Sequence, residues 1–245
     1  MTINGTDIST YGARQHHVSF GYHGIGNDSA WIRSAILPHF AKNYIDFKQI
    51  SVDVMVKPKA AQSAMHPRDA IHRNVSDLLA ALLEPVDLVL DNFSHTFKVI
   101  LKSHKENEES MRRFHKITLD FIGYEYGAEV TASGTGSVSI TNPGNILSPV
   151  LLTLTPAANA SNVRITGVCP DPHTGTDQAI ILGTVTNNKV ITLDGANGLF
   201  TEGNTSTLKP DITILSPPGI AGGQKTITCS AATMQMTAKV LPLYM

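Results

Sequence analysis

Ten histidines, two cysteines and a short run of glutamates are the side chains of this chain best suited to chemistry. Their spacing argues against it. His16 and His17 are adjacent, so in a strand they point to opposite faces and cannot share an ion. His66 and His72 stand six apart on or beside a helix, which is not a one-face spacing. No H-E-x-x-H, C-x-x-C or G-x-S-x-G pattern occurs. Cys169 and Cys229 form no close ligand pair and read as small buried strand residues, with a 169–229 disulfide left open. Gly21, Gly24 and Gly26 are not followed by a helical pattern, so they form no phosphate loop. In "ENEE", Glu106, Glu108 and Glu109 read as a solvated hairpin turn between two strands. These patterns predict a protein that is not an enzyme and holds no metal and no cofactor.

Composition sets the frame for that reading. The 245 residues suffice for one large β-rich domain or two ordinary ones. Charged residues are 16%, against roughly 25% in an average globular protein. Low charge with 19 Gly and 13 Pro suits short strands and many turns. A formal net charge of −1 gives no reason to expect specific nucleic-acid binding or an anionic membrane surface. The N-terminus lacks the pattern of a secretory signal. Leu78 to Leu90, the most apolar stretch, is interrupted by Glu84, Pro85 and Asp87, so no membrane span is expected. A soluble protein made in a reducing cytoplasm is the expectation.

Composition also divides the chain. Residues 131 to 245 hold five basic and five acidic side chains, and nine of the ten histidines precede them. "GAEVTASGTGS", residues 127 to 137, is small and Gly-rich, as a linker is. The predicted division is a domain over 1–130, a linker over 131–137 and a second domain over 138–245.

In the first part, "HPRDAIHRNVSDLLAALLEP" places Ile71, Val75, Leu78, Leu79, Leu82 and Leu83 in one apolar stripe. Pro67 suits the first helical turn and Pro85 stops the helix. Burying that stripe contributes on the order of 10 kcal/mol, an upper figure against an extended chain. Such a one-sided helix must lie on a sheet. "KQISVDVMVK" supplies one strand, with Ile50, Val52, Val54 and Val56 on one face. "VDLVLDNFSHTFKVILKS" reads as a hairpin around Asp91-Asn92, and Ile117, Leu119 and Phe121 alternate in a further strand. "KPKAAQSAMHP" reads as a long flexible segment without core residues, and loops of that length in compact domains are usually functional.

In the second part, strands recur about every ten residues between Gly, Asn and Pro turns, without a helix, which predicts a β-sandwich or jelly roll. "SITNPGNILSPVLLTLTP" reads as its opening, with a turn at Asn142-Pro143-Gly144 between strands at Ser137–Thr141 and Val150–Leu154. Sandwiches that bind sugars present an aromatic face, and this part offers only Phe200 and Tyr244.

The order of these pieces resembles the distal tail proteins of long-tailed, non-contractile bacteriophages. The residues that carry the resemblance are "TINGTDIS", "SAWIRSAILPHFAKNYIDFKQISVDVMVK", the amphipathic helix and "HKITLDFIGYEYG" in the first part. In the second they are "ITNPGNILSPVLLTL", "VITLDGANGLFTEGNTS" and "SPPGIAGGQKTITCSAATMQMTAKVLPLY". The resemblance implies a mainly β fold of two β-rich domains. The first is a belt-type β-sandwich or split barrel with one amphipathic helix, and the second is a galectin-like jelly-roll sandwich. It implies a structural virion protein whose six copies form a ring, the hub joining tail tube to tail tip, through which DNA passes. Implied partners are the tail tube protein, a tail tip or tail-associated protein and a receptor-binding protein. The implied location is the tail tip or baseplate of the virion, and the host cytoplasm during assembly. The carbohydrate-binding module inserted in longer relatives is not expected here. A tail-tube-type protein and a carbohydrate-binding adaptor acting through the sandwich are the alternatives. The candidate ring interface is Lys57, Pro58, Lys59, Ala60, Ala61, Gln62, Ser63 and Ala64, and the candidate lumen-facing residues are Glu106, Glu108 and Glu109.

Overall fold

The computed structural model describes residues 1–21, 25–30, 39–45, 47–107, 114–170, 176–203 and 207–245, with 25–30, 39–45 and 107 as backbone only. The chain forms two compact units, Met1–Glu125 with Met245, and Tyr126–Tyr244. Both are built from strands, and the fold is mainly β, as expected.

The strands of the first unit are β1 (Thr2–Ile3), β2 (Thr6–Asp7), β3 (Ala13–Gly21), β4 (Ile25–Ala30), β5 (His39–Ile45), β6 (Lys48–Val56), β7 (Val86–Val89), β8 (Thr96–Asn107) and β9 (His115–Tyr126). They form one sheet in the order β2-β1-β7-β8-β9-β6-β3, while β4 and β5 pair with each other. The predicted alternation holds. Ile50, Val52, Val54 and Val56 of β6 and Ile117, Leu119 and Phe121 of β9 are all buried. The hairpin at Asp91-Asn92 forms as well, Asn92 taking the left-handed conformation that such turns demand.

Helix α1 (Pro67–Ala80) covers the buried face of the sheet with Ile71, Val75 and Leu78, and Pro67 opens it as expected. The helix ends at Ala80, ahead of Pro85. Leu82 joins the core from the following turn, whereas Leu83 is 77% exposed and is no part of the stripe. The cause is geometric: once the chain leaves the helix, the three-and-four spacing no longer fixes the direction of a side chain.

The second unit is a sandwich of two sheets. One has the order β10 (Val130–Thr135), β20 (Gln235–Val240), β12 (Ser148–Thr155), β15 (Ile191–Asp194), β16 (Leu199–Glu202), with β18 (Gly219–Ile220) pairing the start of β12. The other runs β11 (Ser137–Asn142), β19 (Gly223–Cys229), β13 (Ala160–Thr166), β14 (Ile180–Val185), β17 (Ile212–Thr213). Val150, Leu152 and Leu154 of one sheet and Val163, Ile165 and Ile180 of the other share a single core.

The expected linker at 131–137 is instead structured. Val130 through Thr135 pairs residue for residue with β20, from Val130 opposite Val240 to Thr135 opposite Gln235. Gly136 then turns the chain into β11 of the opposite sheet. It does so with φ at +71°, where an added Cβ would lie 2.8 Å from the Ala232 carbonyl oxygen. Small residues here serve an edge strand and a sheet-to-sheet corner.

Candidate functional site

The candidate interface segment leaves β6 at Lys57 and is tied down rather than loose. Asn74 of α1, fully buried, donates from Nδ2 to the Lys57 carbonyl oxygen at 2.7 Å. It also exchanges hydrogen bonds with Gln62, donating to Oε1 at 3.0 Å and accepting from Nε2 at 2.8 Å. The Lys59 amide donates to Gln62 Oε1 at 2.8 Å, and Lys59 Nζ donates to the Thr10 carbonyl oxygen at 3.1 Å. A 3-10 turn, Ala60–Gln62, fills the centre of the segment. The flexible segment expected from the sequence is therefore anchored at Lys57, Lys59 and Gln62. Pro58 is half-buried, while Ala60, Ala61, Ser63 and Ala64 face solvent. Gly12 closes the knot. Its φ is +67°, and a Cβ there would lie 2.4 Å from the Lys57 carbonyl oxygen and 2.7 Å from Asn74 Nδ2.

Beside this knot lies a cavity of about 330 Å³ lined by Gly12, Arg14, Gln15, His16, Met55 and Lys57. The β3–β6 register slips between Gln15 and His17, so His16 is the extra residue of a bulge. Among the described residues, three cationic or protonatable side chains, Arg14, His16 and Lys57, line the cavity, and no carboxylate does.

Of the candidate lumen residues, Glu106 is exposed near the end of β8, and Glu108 and Glu109 lie outside the described residues. The solvent-facing side of the sheet carries a polar ladder across three strands. Asp120 of β9 accepts from Ser51 of β6 at 2.5 Å and from Ser103 of β8 at 2.9 Å. The Ser51 bond leads the causes that hold the Asp120 carboxyl below its ordinary range, with the charges of Lys105 and Lys102 adding to it. Asp53 accepts from Thr118 at 2.7 Å and pairs with Lys116 at 2.9 Å. Desolvation of Asp53 opposes its ionisation, yet these bonds outweigh it and its carboxyl is also lowered.

Two clusters had no signal in the sequence. Phe20, Phe93 and Phe97 meet with ring centroids 5.1 to 6.2 Å apart, around a cavity of about 210 Å³. Next to them Glu125 holds Lys48 through one oxygen and His95 Nδ1 through the other at 2.6 Å. In the second unit Lys209, buried, donates to the Thr184 carbonyl oxygen at 2.6 Å and pairs with Asp211 at 2.9 Å and Glu202 at 3.5 Å. Segments far apart in sequence meet in each set, Phe20 with Phe97, Lys48 with Glu125 and Thr184 with Lys209, so no local spacing announces the whole cluster.

Cys169 and Cys229 are buried free thiols, which answers the open disulfide. Burial raises the Cys229 thiol pKa. Phe200 packs against the sandwich core rather than standing as a sugar platform. Among the described residues no three His, Cys, Asp or Glu side chains gather as a metal site would. No described helix is long and apolar enough to cross a membrane.

These features define a class: a two-domain, mainly β protein whose notable surfaces are edges and charged patches. No family model and no curated protein matches the chain. Among solved structures it is similar to the SPP1 Dit (gp 19.1) protein, described as a paradigm of the hub adsorption apparatus in phages infecting Gram-positive bacteria. The TM-score is 0.73 at 15% identity, over 99% of this chain and 98% of that one. Structures of the phage P2 baseplate in its activated conformation, with calcium and with strontium, give 0.46 at 12% identity, over 95% of this chain and 92% of theirs. The chain thus carries the Dit fold through both units, as the sequence resemblance leads one to expect.

Proposed function

We propose that this protein is a structural component of a phage tail: a hub whose six copies form a ring between tail tube and tail tip. The observation that carries this reading is the likeness in fold to that Dit protein over 99% of this chain and 98% of that one. The DNA passes through the ring, and the partners are the tail tube protein and a tail tip protein, with a receptor-binding protein attached to the hub. The reading needs no catalysis. Assembly of copies belongs to the first unit, whose sheet ends in β3, a nine-residue strand with a further partner on one side only among the described residues. The anchored segment 57–64 lies next to that edge. Its exposed alanines offer a flat contact with little side-chain entropy to lose.

Light scattering or native mass spectrometry on the purified chain tests this directly. The expected mass is that of six chains of 26.3 kDa, with a central hole in negative-stain images. A monomer at every concentration up to the solubility limit contradicts the hub reading.

A further inference from the structure

Positive charge gathers around the cavity beside Gly12 in the first unit. Arg14 of β3 lies opposite Met55 of β6, and Met55 lies opposite Lys116 of β9, so the three share one row across the sheet. Two residues further along, the Lys57 amide donates to the Gly12 carbonyl oxygen at 2.8 Å. That bond extends the β3–β6 ladder and sets Lys57 beside a residue without a side chain. His16, the extra residue of the bulge, joins them, so Arg14, His16 and Lys57 line one cavity of about 330 Å³. The backbone under Lys57 is fixed, because buried Asn74 holds its carbonyl oxygen.

Among the described residues, Arg14, His16 and Lys57 form no ion pair. The next residue beyond Met55 on that face of β6 is Asp53, whose carboxylate is taken by Lys116 at 2.9 Å and Thr118 at 2.7 Å. Lys59, in the neighbouring segment, is turned to the Thr10 carbonyl oxygen. A cleft walled by one sign of charge concentrates counter-ions. Arg14 offers a planar fork of donors, Lys57 a point charge and His16 a ring N–H in either protonation state. The set matches a group with two negative charges and several acceptor oxygens, which a phosphate is and a single carboxylate is not. Among the described lining residues Met55 alone carries an apolar side chain, so the cavity favours the charged group over an apolar body.

We infer that the Arg14–His16–Lys57 cavity binds a phosphate dianion, free or as the monoester of a small molecule, at one site per chain. The inference concerns the first unit alone and does not rest on the ring reading. The cavity's 330 Å³ stands at the lower end of ligand clefts, roughly 300–1,000 Å³, and leaves room for a small organic group beyond the phosphate. A nucleic-acid strand, with a single charge on each phosphate, calls for a basic stripe along its length rather than one cavity.

Isothermal titration calorimetry on the full-length protein in a phosphate-free buffer tests this, with inorganic phosphate, glycerol 3-phosphate and a short DNA duplex as probes. Both small phosphates are expected to saturate one site per chain and to raise the melting temperature, as a ligand of the folded state does. Arg14→Gln and Lys57→Gln are each expected to weaken phosphate binding by about tenfold, since each removes a charge-assisted contact. Both side chains are exposed and without an ion pair among the described residues, so melts without phosphate are expected to match wild type. Lys189→Gln, at an exposed lysine of the second unit, is expected to bind like wild type. No saturable binding of either small phosphate overturns the inference. So does a loss in Lys189→Gln equal to that in the cavity variants, or binding unchanged in both of those. Binding of the duplex without binding of the small phosphates assigns the cations to nucleic acid and overturns it as well.

Discussion

Lys209 shows how a single residue can hold part of a fold without leaving a trace in the local pattern. Its ammonium is buried among the Thr184 carbonyl, Asp211 and Glu202, and it reaches them from a loop rather than from a periodic element. Replacing it with methionine keeps the volume but leaves two carboxylates without their cation. We predict that Lys209→Met lowers stability by about 3 kcal/mol, read from denaturant melts, because breaking one side of a buried pair exposes the full desolvation penalty. The same cluster sets an acid limit. The Lys209 bond and charge, with the Thr184 bonds, hold the Asp211 carboxyl far below its ordinary range. Asp120 and Asp53 are lowered too. A carboxylate with a depressed folded pKa lends stability that is complete above its unfolded pKa, near 3.9, and is lost as pH falls below it. Melting temperatures are therefore expected to be nearly level from pH 7 to 5 and to fall below about pH 4. Asp211→Asn is expected to flatten part of that fall, and a curve identical to wild type counts against the assignment. The cluster was not legible in the sequence: Asp211 stands only two residues from Lys209, but nothing local shows that Thr184, 25 residues away, and Glu202 on β16 close around the same ammonium. The buried apolar positions were legible, because alternation alone places Val52, Val54, Leu119 and Phe121 inside.

Elements that bury one face declared themselves, and elements that bury little did not. Helix α1 and strands β6 and β9 each carry an uninterrupted apolar stripe. Strand β10 buries no residue fully, with Val130, Ala132 and Gly134 half-buried between exposed Thr and Ser, so it reads as a linker although β20 fixes it along its length. The segment 57–64 was misjudged for the related reason that polar groups anchor it: its order comes from the Asn74 amide. Removing that amide tests the point. Asn74→Ala leaves the Lys57 carbonyl and the Gln62 amide without their partner and is expected to cost about 2 kcal/mol. The loosened segment becomes a protease substrate, with Lys59–Ala60 as the trypsin site, since Pro58 protects the bond after Lys57. Faster cleavage there in Asn74→Ala than in wild type, under native conditions, is the expected result. Equal rates mean that the helix does not hold the segment. The experiment also bears on assembly, because the open ends of Ala60 and Ala61 keep their place only while the anchor does.

At the scale of the molecule, the two units keep separate cores: every buried residue of one cluster lies before Gly123, and every buried residue of the other lies after Glu129. That arrangement was legible as a change of composition near residue 130, although the boundary itself was not, because Tyr126 and Val130–Thr135 belong to the second unit. A unit with its own closed core folds alone. The sandwich has such a core, from Val138 to Val240, and two covered sheet faces. The surfaces proposed to join copies lie in the first unit: the β3 edge and the segment 57–64. The division of labour therefore makes a sharp prediction about a fragment. Residues 126–244, expressed alone, are expected to give a β-type circular dichroism spectrum and one cooperative thermal transition. In that fragment Lys209→Met should lower the transition by as much as it lowers stability in the full chain. The fragment is expected to remain monomeric by light scattering at concentrations where the full chain assembles. A fragment that forms rings by itself moves the assembly surface to the sandwich. A fragment that does not fold shows that the first unit supplies part of its stability. A folded monomer leaves assembly to the first unit, whose open β3 edge is free to meet a second copy only in the full chain.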